Sequence, residues 1–557
     1  MLLNASEAWA CRVVTDNEVV VGDLRFDSMP ELASELRSEL EGSADPGRLI
    51  AAAWRRWGDA SPRRLHGDFS FVLWDAERRT LFAARDPFGV KPLYWAHDRS
   101  GRLVLSNVLD TVYDAVEHDG ELDDDAIADF LLFGHNRNLA TTTWRGIACV
   151  PPAHTLVWRR GWQQPRIERW WRPRAAPAET LDEAGVEQFR AALSRAVRDR
   201  LPASGKVALM MSGGLDSTAL AALAKQAGAD VVAHTIVYER LIADREGEWA
   251  QRAGAHLGIP VELLIADDHR HFASWRCGAE PVEDDVRSIT DELERRVLGH
   301  AKVLFTGLGG DPLLLPWRGY ALHCLSRGRV DRLARYVSSG LRRRGRLPPL
   351  GLHGRVARWW GRRRWREGFP SWLAEDFVRR LDLETRWREF WYPPWPRAPR
   401  AEAEAAIIDP VWTRAFEQRH PVASGRAFEE RHPFFDRRLV ELALRLPAVP
   451  WCVDKWILRH IMIDTLPESV RFRPKTPLIG VPGHGWDTKI RDQWPKYLAL
   501  PAVAQYLVNS IGDRDSSATS PTSPSGDRAT LIRPMSLALW IATRQRHDRA
   551  PGGRLHE

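Results

Sequence analysis

The stretch from Lys206 to Ala222 limits what this chain can fold into more than any other. Val207-Ala208-Leu209-Met210-Met211 is an apolar run that predicts a buried strand, and Ala219 to Gly228 is a run of strong helix formers. Between them lies Ser212-Gly213-Gly214-Leu215-Asp216-Ser217-Thr218. Two glycines let the backbone approach a ligand closely, hydroxyls and free amides of the first helical turn donate hydrogen bonds, and the helix dipole favours an anion. The loop therefore has the size and chemistry of a pyrophosphate cradle. It lacks the Gly-Lys-Ser/Thr ending of the usual P-loop, whose lysine reaches the β and γ phosphates, and it offers an aspartate suited to magnesium. Chemistry at the α phosphate fits such a loop better. Taken alone, a Gly-rich turn is equally compatible with a tight turn that binds nothing.

The sequence around this loop supports a ligand site. After it, strands and helices alternate: strand Asp230 to Tyr238, helix Gly247 to Leu257, strand Pro260 to Ala266, helix Val286 to His300, strand Lys302 to Thr306. That order predicts a doubly wound parallel sheet, which binds ligands beyond the carboxyl ends of its strands. The strand Val303-Leu304-Phe305 runs into Thr306-Gly307-Leu308-Gly309-Gly310-Asp311, a second small-residue loop expected beside the first. Upstream, an amphipathic helix over Leu181 to Leu201 follows the link Pro173 to Pro177. The region before it carries short apolar segments, including a hairpin of Gly67 to Asp75 and Thr80 to Arg85. The expected fold class is α+β followed by α/β. Two or three domains suit 557 residues, and the expected boundaries are 1–178 and 179–557, with a mobile loop at about 510–529 that is rich in Ser, Thr, Pro, Gly and Asp.

Five cysteines, Cys11, Cys149, Cys277, Cys324 and Cys452, have no paired spacing, which argues against a zinc site or a disulfide framework and fits a reducing cytoplasm. No run of about 18 apolar residues occurs, so no membrane association is expected. The net charge of +7 draws on arginines between Arg327 and Arg400, read as solvated helix faces and not as a nucleic-acid surface. Many of the 26 tryptophans sit beside arginine. Most belong in a core, and some could line a groove for a peptide.

Ser-Gly-Gly-Leu-Asp-Ser resembles the pyrophosphate loop of the ATP pyrophosphatases, and specifically of the asparagine synthetase superfamily. Further matches are Asp86-Pro87-Phe88-Gly89-Val90-Lys91-Pro92-Leu93-Tyr94, the run Glu429 to Asp436, Lys455-Trp456-Ile457-Leu458-Arg459 and Arg471-Phe472-Arg473-Pro474-Lys475. The resemblance implies an amidotransferase-like sandwich of two antiparallel sheets, then an ATP pyrophosphatase-type sheet with added helices. It implies ATP and Mg2+ as cofactors. Ser212, Gly213, Gly214, Leu215, Asp216, Ser217, Ile236, Thr306 and Gly307 would hold the nucleotide, and Asp216 and Asp311 the metal. Lys475, Lys455 and Glu429 would carry the catalysis, with Lys455 on the phosphates and Lys475 at the acyl centre. Pro312 stands where the superfamily often has glutamate, which would alter how outer water is bound.

The resemblance is incomplete at the start of the chain. Those amidotransferase domains use a cysteine directly after the initiator methionine, whose own amine serves as base. Leu2 occupies that position, Cys11 has no free amine, and the family's Asn-Gly-Glu segment is missing near 60–70, so no glutaminase activity is expected. Two families with an idle first domain fit this pattern. Beta-lactam synthetases use a tyrosine at the place of Leu308, with a glutamate that Glu429 would match. Asparagine synthetases put glutamate at the Leu308 position. Leucine can do neither job. The likeness is therefore greatest to the lasso peptide cyclases, which adenylate an Asp or Glu side chain of a precursor peptide and join it to the N-terminal amine as a macrolactam. That reading brings a leader peptidase and a leader-binding protein as partners. Ring closure of a small metabolite, ammonia-dependent asparagine synthesis and a non-catalytic binding protein remain the alternatives.

Overall fold

A computed structural model describes residues 11–15, 17–40, 42–178, 180–242, 245–283, 286–344, 359–394, 398–473, 488–508 and 532–549. Its first half is built on antiparallel sheets. Strands β1 (Cys11–Val14), β2 (Glu18–Phe26), β3 (Gly67–Asp75), β4 (Thr80–Arg85), β8 (His154–Arg159) and β9 (Arg166–Arg169) form one six-stranded sheet in the order β1-β2-β3-β4-β8-β9. Strands β5 (Tyr94–His97), β6 (Leu103–Ser106) and β7 (Ala148–Cys149) form a smaller one. The hairpin expected from the sequence closes with Asp75 opposite Thr80. Its two-sided apolar pattern has a physical reason. Phe69, Phe71 and Leu73 pack with Leu49, Ile50 and Trp54 of the helix Pro46–Trp57, whereas Val72 turns to Leu93, Leu105 and Val150 around the smaller sheet.

The second half holds a five-stranded parallel sheet of β10 (Lys206–Met210), β11 (Asp230–Val237), β12 (Val261–Ile265), β13 (Ala301–Phe305) and β14 (Glu429–Arg431), in the order β12-β11-β10-β13-β14. Successive residues point to opposite faces, and both faces are covered. Val207, Leu209, Val231, Ala233, Val303 and Phe305 pack against the helices Glu183–Arg198, Leu215–Gln226 and Arg437–Ala443. Ala208, Val232 and Leu304 pack against Leu293 and Val297 of the helix Arg287–Leu298. Strand order reverses between β10 and β13, and the two small-residue loops leave the sheet at that crevice. The fifth strand, only three residues long, is too short to betray itself in the sequence.

A third core joins the two halves. Tyr94, Phe133 and Trp144 pack with Trp365, Trp372, Trp387, Tyr506 and Trp540, so three tryptophans of the Trp- and Arg-rich region are buried here. Its arginines meet the acidic helix Asp124–Phe133: Arg380 pairs with Asp124 at 2.5 Å and Arg386 with Asp125 at 2.9 Å. Trp359 and Trp360 remain about half exposed. Buried ion pairs cross the same junction. Lys91 contacts Glu429 at 3.0 Å, Arg200 reaches Asp27 and Asp68 at 3.6 Å each, and the Glu417 carboxylate takes Arg85 at 2.8 Å as well as Arg414 at 2.9 Å. Among the described residues, no helix is long and apolar enough to cross a membrane.

Candidate active site

Strand β10 ends in a loop whose shape depends on glycine. Gly213 has φ +64°, and a Cβ there would stand 2.6 Å from the Ala250 amide nitrogen and 2.7 Å from the Trp249 carbonyl carbon, so only glycine lets the loop lie this close to the next helix. Gly214 caps the helix Leu215–Gln226 without a side-chain hydrogen bond, which leaves the first-turn amides without an N-cap acceptor. Gly307 lies across that turn: a Cβ on it would be 3.3 Å from the Ser217 nitrogen. The Thr218 hydroxyl is fully buried nearby without a hydrogen-bond partner among the described residues.

Three charged side chains converge at the mouth of this crevice. The Lys455 ammonium bonds the Asp216 carboxylate and lies 2.6 Å from Asp311 Oδ1. Gly310 makes room for the cluster, because a Cβ there would sit 2.6 Å from Asp216 Cγ. Lys455 and its neighbour Asp454 both have positive φ, at 57° and 52°, just before the helix Trp456–Ile461. Such backbone costs energy in residues other than glycine and is retained where the surroundings fix it, commonly at functional sites. Asp311 is 55% exposed and Asp216 16% exposed, so the pair offers hard oxygen donors at a surface that a ligand can reach.

Two carboxylates fit magnesium, which binds through one or two carboxylates and completes its shell with water and phosphate oxygens. Among the described residues no group of three or more His, Cys, Asp or Glu side chains could hold a metal ion.

The nucleotide residues expected from the sequence fall around this crevice: Ser212, Gly213, Gly214, Leu215, Asp216 and Ser217 at the end of β10, and Thr306 and Gly307 at the end of β13. Ile236 lies near the carboxyl end of β11, half-buried against two cores. Lys475 lies outside the described residues. Glu429 is placed elsewhere. It sits on β14 opposite Val303, well before the strand-end loop, and its carboxylate is held by Lys91 at 3.0 Å and by Arg431 at 2.8 Å. Burial would raise this carboxyl, but Lys91, Arg431 and Arg25 outweigh it and hold it well below the usual carboxylate range. A carboxylate so stabilised is a poor proton acceptor, so the base role expected for it is withdrawn. Leu308 is partly buried against the core and brings no polar group.

Two residues here were missed in the sequence. Arg473 donates to the Ser212 carbonyl oxygen at 2.6 Å and lies over the Trp249 ring, which pins the loop from outside. His432 meets the Thr306 hydroxyl at 2.7 Å, and burial pushes its imidazole down to about 4. Arginine is too common in this chain for position 473 to stand out. The His432 contact joins β13 to the segment after β14 and has no local signal.

Comparison with known families gives two matches. The asparagine synthase model covers residues 188–528, and a glutamine amidotransferase domain model covers 28–171. The chain belongs to the asparagine synthase family. A putative glutamine-hydrolysing asparagine synthetase of Mycobacterium tuberculosis is 27% identical over 510 residues, 84% of this chain and 75% of that protein. Glutamine-hydrolysing asparagine synthetase 3 of Bacillus subtilis is 23% identical over 519 residues, 84% of this chain and 76% of that one. An amidase of Penicillium rubens is 27% identical over 268 residues, 43% of this chain and 37% of that protein. As an asparagine synthase family member, the chain is an ATP-dependent, amide-forming ligase.

Proposed function

We propose that this asparagine synthase family member is a peptide macrolactam synthetase of the lasso cyclase kind. It activates an Asp or Glu side chain of a leader-free precursor peptide and joins it to that peptide's N-terminal amine. The carboxylate oxygen attacks the α phosphorus of ATP and pyrophosphate leaves. The amine nitrogen then attacks the acyl carbon, AMP leaves, and the amine gives up a proton. In this reading the amides of the first turn of Leu215–Gln226 receive the pyrophosphate oxygens, and Lys455 offsets their charge. Asp216 and Asp311 would hold magnesium, which would supply further positive charge to the site. Lys475 is assigned to the oxyanion formed as the amine attacks.

The observation that carries the choice of nucleophile is Leu308, apolar at a position beside the crevice where a base or an amine-binding acid would serve a small substrate. With Glu429 engaged by Lys91 and Arg431, neither position offers a ready base. An N-terminal amine, with pKa about 7.7–8.0, is already partly free at neutral pH, unlike a lysine near 10.4. Such a nucleophile needs little help. The competing readings are tested by supplying ATP and magnesium with either aspartate and ammonium or a precursor peptide. AMP and a peptide lighter by one water support the proposal, whereas AMP and asparagine from the first mixture alone would overturn it.

A further inference from the structure

Away from the nucleotide crevice, a second cavity opens where the two halves of the chain meet, with a volume of about 400 Å³. Its apolar walls include Phe88, Trp171, Ile407 and Trp412. Both indole N–H groups are already used outside it: Trp171 donates to Glu441 at 2.7 Å and Trp412 to the Ala406 carbonyl at 2.7 Å. Those rings therefore bring apolar surface to the cavity and no unpaired donor. The volume lies within the range of small-ligand pockets, about 300–1,000 Å³, and suits one or two side chains.

Charge at the rim is one-sided. Arg137, Arg169 and Arg172 line the cavity, against the single carboxylate of Asp409. That carboxylate is occupied, since it caps the helix Pro410–Arg419 through the Val411 amide at 3.0 Å and faces Arg137 at 3.4 Å. Arg172 reaches Glu404 only at 3.8 Å, from an exposed position. The Arg169 guanidinium has no carboxylate partner among the described residues. Arg169, without a carboxylate partner among the described residues, and Arg172, held only by the long, exposed contact with Glu404, thus stand beside an aromatic slot, which is the arrangement that recognises a carboxylate on an apolar body. The slot also lies next to the active-site loop. Phe435 packs on Phe88 and Trp412 at ring distances of 5.3 and 5.6 Å, and a Cβ on Gly309 would touch the same Phe435 ring at 2.8 Å.

We propose that this cavity binds a segment of the peptide substrate in which an acidic residue follows an aromatic or aliphatic one, Arg169 and Arg172 meeting the carboxylate. Only the source of the carboxylate rests on the peptide-ligase reading. Binding is measured without ATP, so that turnover plays no part, using two C-terminally amidated probes, Gly-Gly-Phe-Glu and Gly-Gly-Phe-Gln, with N-acetylphenylalanine as a small-acid control. The Glu probe is expected to bind more tightly than the other two. Arg169→Gln with Arg172→Gln should weaken it about fivefold to tenfold, bring it level with the Gln probe, and leave the melting temperature and ATP binding unchanged. Equal binding of the Glu and Gln probes, or no effect of the double variant, overturns the site. N-acetylphenylalanine binding as tightly as the Glu probe overturns its assignment to the peptide. Loss of peptide-dependent AMP formation in the wild type, with probe binding intact, counts against the ligase reading alone.

Discussion

Lys455→Met separates the two tasks that the charge cluster implies for the lysine. The ammonium stands between two carboxylates, in contact with Asp216 and 2.6 Å from Asp311. Removing it leaves two negative charges facing each other. At about 5 Å and an effective dielectric of about 20 they repel by roughly 3 kcal/mol, which the exposure of Asp311 screens to about 1 kcal/mol. A divalent cation relieves that repulsion, so the nucleotide-free variant should bind Mg2+ about fivefold more tightly than the wild type. The same variant should form AMP on the order of 10²- to 10³-fold more slowly, because the phosphates lose a fixed positive charge. Titration calorimetry of Mg2+ into nucleotide-free protein gives the first quantity, and AMP release the second. Unchanged or weaker Mg2+ binding, together with AMP formation within threefold of wild type, would refute the reasoning.

Other substitutions probe the loop, the neighbouring histidine and the junction. Gly213→Ala meets the 249–250 backbone and an unfavourable φ, and Gly310→Ala displaces the Asp216 carboxylate, so both should abolish ATP binding in an equilibrium assay while far-ultraviolet circular dichroism stays unchanged. His432 is held neutral by burial at about 4 instead of the usual ~6.5. The unfolded chain therefore takes up the proton first, and stability is lost as pH falls from about 6.5 towards 4, by about 2 kcal/mol at pH 5. His432→Asn should flatten the fall in melting temperature over that window. Glu417→Ala leaves Arg85 and Arg414 buried without their shared carboxylate and should cost about 3–5 kcal/mol, read as a lower apparent melting temperature.

What the sequence made legible was local. The strand, glycine loop and helix at Lys206 to Ala222, the hairpin of β3 and β4, and the alternation that builds β10 to β13 all depend on neighbouring residues, and their patterns survive in the chain order. The pairing of Asp216 with Asp311 comes from the family resemblance, and β10 beside β13 puts their loops at one crevice. Contacts made over long separations could not be read. Glu429 looked like a site residue from its motif, yet its charge is consumed by Lys91, 338 positions earlier. The Trp- and Arg-rich region had no visible partner because its partner is the acidic helix Asp124–Phe133 in the other half. Tryptophan spacing alone does not say which core a ring enters.

The central claim is that the nucleophile is the peptide's own N-terminal amine. Two forms of one precursor peptide, differing only in N-terminal acetylation, test it in the presence of ATP and magnesium. The free peptide should lose one water, with tandem fragmentation placing the new amide between residue 1 and an acidic side chain. The acetylated peptide should still be adenylated and release AMP slowly by hydrolysis, but show no water loss. Loss of water from both forms, or from neither while aspartate and ammonium give asparagine, would contradict the account.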